Sequence, residues 1–525
     1  MLKIKVAGVA LNQTPFDWAG NRNRILDALK EARAQGASLV CLPELGITGY
    51  GCEDAFFNPH IQESAMRELM LLVKETAGLF VGFGLPVRHK GVLFNCIAAV
   101  YDGEILGFVA KKALAGDGVH YEPRWFKPWQ SELVSEIEVE MEGRRETYPF
   151  GDIHFDVGGV KIGFEICEEA WVANRPGAQL ARRDVDVILN PSASHFAFGK
   201  LGVRSRFVCE GSRAFSVGYV YSNLIGNEAG RIVYDGGVLI ADGGTLVAQG
   251  PRFSYQDVLV TTAVIDVDRN RVTRERTFSY QPDLRDAGSA CVAVRGRIAL
   301  AKGQNQTPQP SEWENSRDLK SEEFSRAVAL GLFDFLRKSK QLGFVISLSG
   351  GLDSAAVSIL CRMSLEFADQ DLGFDGLLKK LSHIPAVASG QMKNIDELAK
   401  LLISCAYQGT ENSSHETLKA AEAVAKDIGA TFYNWSISDL LNGYHKLAEG
   451  AIGEKLTWDR HDIPLQNIQA RTRGPAIWMI ANLKNALLLA TSNRSEAAVG
   501  YATMDGDTCG GISPIGGIDK AFLRH

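Results

Sequence analysis

The chain reads as an α/β protein of more than one domain, and three observations carry that reading. Its 525 residues exceed what a single hydrophobic core holds, at a soft allowance of ~150 residues per domain. From Lys3 to about Asp268, short strand-like segments alternate with helical ones and then give way to hairpins. From Leu319 onward, strand–helix–strand alternation returns in the pattern of a parallel sheet with helices on both faces.

The elements follow in order. KIKVAGVAL alternates as a strand, and Trp18–Gln35 carries helical apolar spacing through Ile25, Leu29 and Ala32 before Gly36 ends it. SLVCLPEL is the next strand, a second helix is expected near Ile61–Thr76, and LFVGFGLPV is again a strand. Hairpins then dominate. FNCIAAVYDGEILGFVAKK turns at Asp102-Gly103, IHFDVGGVKIGFEIC at Gly158-Gly159, and VLIADGGTLVAQG at Asp242-Gly243-Gly244. Helices early and hairpins late imply a mixed sheet, or two stacked sheets, flanked by helices. GQNQTPQPSEWENS (Gly303–Ser316) is polar and aperiodic, so residues 291–318 are assigned as a linker between domains 1–290 and 319–525. The second domain opens with a helix to about Lys340, the strand FVISL, a Gly-rich turn and a helix from Asp353. Ala368–Asn394 is weakly patterned and is expected to be a surface loop or insertion. LLISCAYQG, a helix around His415–Asp427, and ATFYNWSI then complete the alternation.

Composition narrows the function. Lys+Arg 56 against Asp+Glu 62 gives a net charge of −6, which offers no basic surface for sequence-independent nucleic-acid binding. No apolar run approaches the ~18 residues of a membrane helix, and the N-terminus carries no signal-peptide cleavage site. The nine Cys are scattered without a CxxC pair, which disfavours a disulfide framework or zinc ribbon and makes the cytoplasm the simplest compartment.

Three strings in the first domain place polar groups at strand ends, where α/β sheets present their chemistry. They are PELGITGY with Glu44, VAKKALAGDG with Lys111 and Lys112, and GFEICEEAW with Cys167. A thiol near its ordinary pKa is mostly protonated at neutral pH, so a nucleophilic Cys needs a base or a cation beside it. Glu44 would take the proton, and Lys111 would favour the thiolate and the oxyanion that follows its attack on a carbonyl. Taken singly, a strand-end Cys is more often a packed small hydrophobe and a surface Lys a solvated one.

In that order and at those separations, PEL, AKKALA and EICEE resemble the nitrilase superfamily. The resemblance implies an αββα sandwich and a Glu44–Lys111–Cys167 triad acting on non-peptide C–N bonds, with Lys112 as the alternative lysine. YEPRWFKPW (Tyr121–Trp129) is similar to the amidotransferase branch, with Glu122 in the region of an extra carboxylate that many nitrilases carry. The same resemblance implies a glutamine pocket of Tyr50, Tyr121, Ser194 and Lys200.

ISLSGGLDSAA (Ile346–Ala356) is the sharpest motif in the chain. Backbone N–H groups of a Gly-rich turn that opens a helix can surround a phosphate, with the helix dipole adding positive potential. Ser349 and Ser354 add hydroxyls, and Asp353 can bind Mg²⁺ carried by the phosphates. GxxxxGK[ST] is absent, so this is not a Walker A loop. SGGxDS resembles the pyrophosphatase loop of the N-type ATP pyrophosphatases, which implies a doubly wound parallel-sheet domain binding ATP at Ser347, Leu348, Ser349, Gly350, Gly351, Leu352, Asp353 and Ser354. YQGTENSSHET, QNIQARTR and the run Leu487–Lys520 are similar to the NAD synthetase members of that group. They imply ATP contacts at Thr491 and Lys520, deamido-NAD contacts at Asn467, Arg471 and Glu496, and a metal at Asp353 and Glu496.

Both signatures on one chain resemble the family of glutamine-dependent NAD⁺ synthetases. The implied reaction releases ammonia from glutamine, adenylates deamido-NAD⁺ with Mg²⁺·ATP and amidates it to NAD⁺, leaving AMP, pyrophosphate and glutamate. The implied partners are small molecules and other copies of the chain, with no nucleic acid and no membrane. Met504 stands where ammonia-using relatives carry Lys, and the second domain is expected to be short at its C-terminus, since the family continues beyond the equivalent of Lys520. The rival readings are a glutamine-fed synthetase for another carboxylate, a nucleotide-binding scaffold, and a plain amidase, which leaves SGGLDS unexplained.

Overall fold

The computed structural model describes residues 2–141, 144–285, 290–305 and 307–525, with backbone alone for Met141 and Arg144. The chain divides into two compact units, Met1–Glu323 and Phe324–His525.

The first unit holds two large sheets. One runs in the order Val258–Asp266, Lys3–Leu11, Leu39–Cys41, Phe80–His89, Val92–Tyr101, Glu104–Ala110, Arg144–Gly151, Val134–Met141. The other runs Thr245–Gln249, Leu239–Asp242, Gly218–Ser222, Val187–Pro191, Val160–Phe164, His154–Val157, Cys291–Val294. They pack face to face. Phe80 of one sheet stacks on Phe164 of the other at 6.1 Å between ring centroids, and a Cβ on Gly82 would sit 2.5 Å from that Phe164 ring. Small residues at such positions let the layers close.

Helices cover the outer faces. Trp18–Ala34 starts at Asp17, whose carboxylate accepts from the Gly20 N–H, and buries Ile25, Ala28, Leu29 and Ala32 along one stripe. Pro59–Val73 is capped by Asn58 and buries Ile61, Ala65, Leu69 and Leu72. Lys200–Phe215 packs on the second sheet. Each large apolar side chain so buried contributes roughly 1.5–3 kcal/mol. The result is the αββα sandwich.

The expected linker is only partly one. Cys291–Val294 pairs in parallel with His154–Val157 as the edge of the second sheet, and Leu300 bridges to Ile4. Gln306, within the same stretch, lies outside the described residues.

The second unit is built on four parallel strands in the order Thr431–Ser436, Ile403–Gly409, Phe344–Ser347, Leu487–Leu489. The earliest strand of this sheet lies inside it. The next two strands are added on one side and the last on the other, as in a doubly wound sheet. Connections therefore diverge between Phe344–Ser347 and Leu487–Leu489, and the crevice at the carboxyl ends of these strands is the natural ligand position.

Ala368–Asn394 is not a loop. The helix Leu352–Lys380 continues through it, bending at Gly373 (φ +70°), and Pro385–Ala388 adds a further turn. Leu377, Leu381, Ile384 and Val387 are buried. Their spacing of four and three residues is helical, but the Gly, Asp and Lys residues between them hide the period.

Candidate active sites

In the first unit, Glu44 follows the Leu39–Cys41 strand, Lys111 the Glu104–Ala110 strand and Cys167 the Val160–Phe164 strand. Cys167 opens a short 3₁₀ turn with φ +46°, a strained conformation for a residue with a side chain. Glu169 fastens that turn, accepting from the Ile166 N–H at 2.6 Å and from the Lys112 N–H at 2.5 Å. The Cys167 turn is thus tied directly to the strand end that carries Lys111.

All three side chains are buried. Lys111 Nζ donates to Glu44 Oε1 at 2.5 Å and to both oxygens of Glu122 at 2.8 Å. Asn95 Nδ2 donates to the same Glu44 Oε1 at 2.8 Å, while Glu44 Oε2 has no hydrogen-bond partner. One oxygen is thus held and the other is left to take a proton.

Burial raises the Glu44 carboxyl to about 7; Lys111 opposes the rise, Glu122 adds to it, and Cys167 lies close enough to act on it. Burial, with Glu44 and Glu122, drives the Cys167 thiol well above its ordinary value against the pull of Lys111. Burial alone would lower Lys111, but Glu122 and Glu44 outweigh it and keep the ammonium charged. At rest the site holds a protonated thiol, a fixed cation and a carboxyl poised near neutrality. Such a set can move one proton from sulfur to oxygen as the sulfur attacks.

Lys112 does not join it. Its ammonium lies 3.2 Å from Asp152. Glu122, the extra carboxylate that the resemblance implies, is fully buried at the centre, whereas Tyr121 beside it is 54% exposed. Tyr121 and the buried Tyr50 line a cavity of about 260 Å³ with Glu228 and Tyr234, and Tyr50 Oη donates to Glu122 Oε1 at 2.7 Å. Ser194 is buried, its Oγ accepting from Arg204 at 3.1 Å. Half-buried Lys200 lies 3.3 Å from both ring nitrogens of His195 and 5.3 Å above the Trp171 ring. Asn95, His120 and His195 carried no motif that sequence reasoning could use.

In the second unit, Ser347, Ser349, Leu489 and Thr491 line a cavity of about 340 Å³ at the divergent strand ends, with Tyr407, Gln408, Thr417 and Arg473. The Gly-rich turn is closed on itself. Ser349 and Ser354 hydroxyls lie 3.1 Å apart, and the Gly351 N–H donates to Ser349 Oγ at 3.3 Å. Gly350 has φ +81°, and a Cβ there would lie 2.2 Å from the Thr417 carbonyl oxygen. Leu348 is fully buried, and Leu352 opens the helix whose positive end faces the turn. Lys520 Nζ lies 2.9 Å from Asp353 and 3.7 Å from Glu496.

Asn467 and Arg471 face elsewhere. Asn467 Oδ1 accepts from Thr503 Oγ1 at 3.0 Å, and Arg471 Nε donates to the Met504 carbonyl at 2.9 Å. Arg471 lines a separate hollow of about 520 Å³. Met504 itself is exposed. The arginine at the 340 Å³ cavity is Arg473, to which the resemblance assigns no contact; its Nε donates to the Gln408 carbonyl at 3.2 Å.

A cysteine–carboxylate–lysine centre on an αββα sandwich, joined to a phosphate-type turn on a doubly wound sheet, defines a carbon–nitrogen hydrolase fused to an ATP-dependent ligase unit. Residues 5–276 match the family model described as carbon-nitrogen hydrolase, and residues 325–524 match that described as NAD synthase. The chain is 32% identical to the glutamine-dependent NAD(+) synthetase of Saccharomyces cerevisiae, over 99% of this chain and 77% of that protein. It is also 32% identical to the enzyme of that name from Homo sapiens, over 99% of this chain and 77% of that protein. A crystal structure of a glutamine-dependent NAD(+) synthetase from Cytophaga hutchinsonii matches with TM-score 0.83 and 40% identity, covering 99% of this chain and 80% of that one. The chain belongs to the glutamine-dependent NAD(+) synthetase family.

Proposed function

We propose that this chain forms NAD⁺ from deamido-NAD⁺, using ammonia cut from glutamine in the first unit and ATP in the second. The observation that carries the reading is Cys167, strained and facing Glu44 and Lys111, on the same chain as the Ser349–Ser354 turn. In this reading residues 1–290 are the glutaminase and 319–525 the synthetase.

Glu44 Oε2 takes the Cys167 proton as sulfur attacks the glutamine side-chain amide. Lys111 and backbone N–H groups at the Cys167 turn stabilise the oxyanion. Glu44 returns the proton to the leaving nitrogen, which departs as ammonia, and then activates water to release glutamate. Tyr50, Tyr121, Ser194 and Lys200 are assigned to glutamine. In the second unit the turn residues Ser347–Ser354, with Thr491 and Lys520, hold ATP, and Arg473 joins them at the cavity wall. Asn467, Arg471 and Glu496 are assigned to deamido-NAD⁺.

Asp353 and Glu496 fit a magnesium site. Asp353 Oδ1 is buried without a hydrogen-bond partner, and Lys520, 2.9 Å from Asp353 and 3.7 Å from Glu496, shows that the two carboxylates lie near one another. Two carboxylates completed by substrate phosphates match how Mg²⁺ is commonly held. Bound there, Mg²⁺ would neutralise charge developing on the phosphates as the nicotinate carboxylate is adenylated.

The same reading places the chain in the cytoplasm as a homo-oligomer acting on small molecules, without nucleic acid or membrane. All nine cysteines are free, and among the described residues no helix is long and apolar enough to cross a membrane.

The test is to supply deamido-NAD⁺, Mg²⁺·ATP and glutamine and to quantify NAD⁺, AMP, pyrophosphate and glutamate. Equal amounts of AMP, pyrophosphate and NAD⁺ are expected, with no less glutamate than NAD⁺. Glutamate without NAD⁺ would remove the synthetase half of the reading.

A further inference from the structure

Asn95 is a polar residue where the strand pattern calls for an apolar one. On the strand Val92–Tyr101, Phe94, Cys96, Ala98 and Val100 belong to one apolar cluster. Side chains alternate along a strand, so Asn95 and Ile97 take the opposite face. That face meets the second sheet: a Cβ on Gly82 would sit 3.0 Å from Ile97 Cγ2 and 2.5 Å from the Phe164 ring. Asn95 is fully buried there. Asparagine is depleted from strands, and this one carries a further cost, because its Oδ1 has no hydrogen-bond partner among the described residues. Leucine has nearly the same shape and would fill the place without that cost. What leucine lacks is the N–H that Asn95 holds on Glu44.

Two bonds place that N–H. The Asn95 carbonyl accepts from the Lys111 N–H at 2.9 Å, which ties Asn95 to the strand end that carries the lysine. Asn95 Nδ2 donates to Glu44 Oε1 at 2.8 Å, the same oxygen that accepts from Lys111 Nζ at 2.5 Å. The amide has one workable sense, because turning it over would set Oδ1 against a carboxylate oxygen. Glu44 Oε2 has no partner. A proton on Oε1 would have to displace two donors, whereas a proton on Oε2 displaces none.

We infer, on the glutaminase reading above, that Asn95 is a positioning residue for the general base: its N–H keeps the Glu44 carboxylate ionised near neutral pH and reserves Oε2 for the Cys167 proton. A hydrogen bond donated to a carboxylate favours its charged form. The other groups that act on Glu44 are Lys111, Glu122 and Cys167, and Tyr50 and Tyr234 lie close enough to respond to its charge. Burial raises Glu44 to about 7, with Lys111 opposing the rise and Glu122 adding to it. Removing the Asn95 N–H leaves burial and these neighbours in place and takes away one donor, so the carboxyl rises further. A higher value means less ionised base at a given pH. The acid side of the rate profile therefore moves to higher pH, and the plateau beyond it stays.

The test is the pH profile of kcat/KM for glutamate release by the full chain, which reports the free enzyme's base. The wild-type midpoint is expected at about 7. In Asn95→Leu it is expected to rise by about one pH unit, a deficit of about ten-fold near pH 6 that closes to within a few-fold near pH 9. Asn95→Asp keeps the shape but sets a second carboxyl against Glu44, and is expected to raise the midpoint at least as far; it repeats the test should Asn95→Leu not fold. Lost packing alone would slow the enzyme equally at every pH. A deficit of that kind, or a midpoint that stays at the wild-type value, would overturn the role of Asn95 while leaving the glutaminase reading intact. A wild-type chain that releases no glutamate would remove that reading and the role of Asn95 together.

Discussion

Replacing Lys111 by methionine keeps the length of the side chain and removes its charge. The wild-type site buries one ammonium among two carboxylates, Glu44 and Glu122, and the substitution deletes three hydrogen bonds, at 2.5, 2.8 and 2.8 Å. Breaking a buried ion pair by removing one partner costs about 3–5 kcal/mol. Two bare carboxylates cannot both stay ionised there, so Glu44 must hold a proton at higher pH than before. The pH dependence follows from the sign of its shift. A carboxyl raised from 4.5 to about 7 on folding loses stability as pH rises between those values, and the loss ends above about 7. In Lys111→Met the folded pKa is higher still, so the loss continues above 7. At about 1.4 kcal/mol per pH unit, the deficit of the variant grows by roughly 2 kcal/mol between pH 7 and 8.5. Urea unfolding of both proteins at the two pH values measures it, alongside glutamate release, which should fall by about 10³-fold. A deficit equal at both pH values, or glutamate release within a few-fold of wild type, would show that Lys111 does not hold these carboxylates charged.

Three shorter predictions follow from the two sites. The rate of glutamate release, as kcat/KM, should fall as pH drops through about 7, because protonated Glu44 cannot accept the thiol proton. Gly350→Ala drives a Cβ to 2.2 Å from the Thr417 carbonyl oxygen at φ +81°, a strain of about 1–3 kcal/mol; ATP-dependent NAD⁺ formation should fall about ten-fold or more while glutamate release is unchanged. Arg473→Met should weaken ATP more than Arg471→Met does, read as KM for ATP with ammonium as the nitrogen source, because only Arg473 lines the 340 Å³ cavity.

Much of the fold is legible in the sequence because its devices are local. Apolar spacing along Trp18–Ala34, Asp-Gly and Gly-Gly hairpin turns and the SGGLDS turn each act within a few residues. The triad residues sit at strand ends, and a parallel arrangement gathers strand ends. What stays hidden depends on phase or on distance along the chain. Arg471 and Arg473 lie two residues apart on the helix Trp458–Lys484, hence about 200° around its axis, and point to different cavities. The spacing of Ala470, Ile477 and Ala481 marks the inner face and places Arg473 on it, a signal within reach of the sequence. Glu122 is turned inward by a four-residue helix too short to show a period. His120 and His195 are 75 residues apart, and only the packed sandwich brings His120 Nε2 to 2.9 Å from His195 Nδ1. Ala368–Asn394 conceals its helix because Gly373 bends it where the periodicity would otherwise be read.

The most direct measurement compares wild type with Cys167→Ala in NAD⁺ formation from deamido-NAD⁺ and Mg²⁺·ATP, each supplied in turn with glutamine and with ammonium. Wild type is expected to use both nitrogen sources. Cys167→Ala is expected to lose the glutamine reaction and keep the ammonium reaction at the wild-type rate, since its change is confined to the first unit. NAD⁺ formed from glutamine by Cys167→Ala would contradict the assignment of Cys167 as the nucleophile that frees the ammonia.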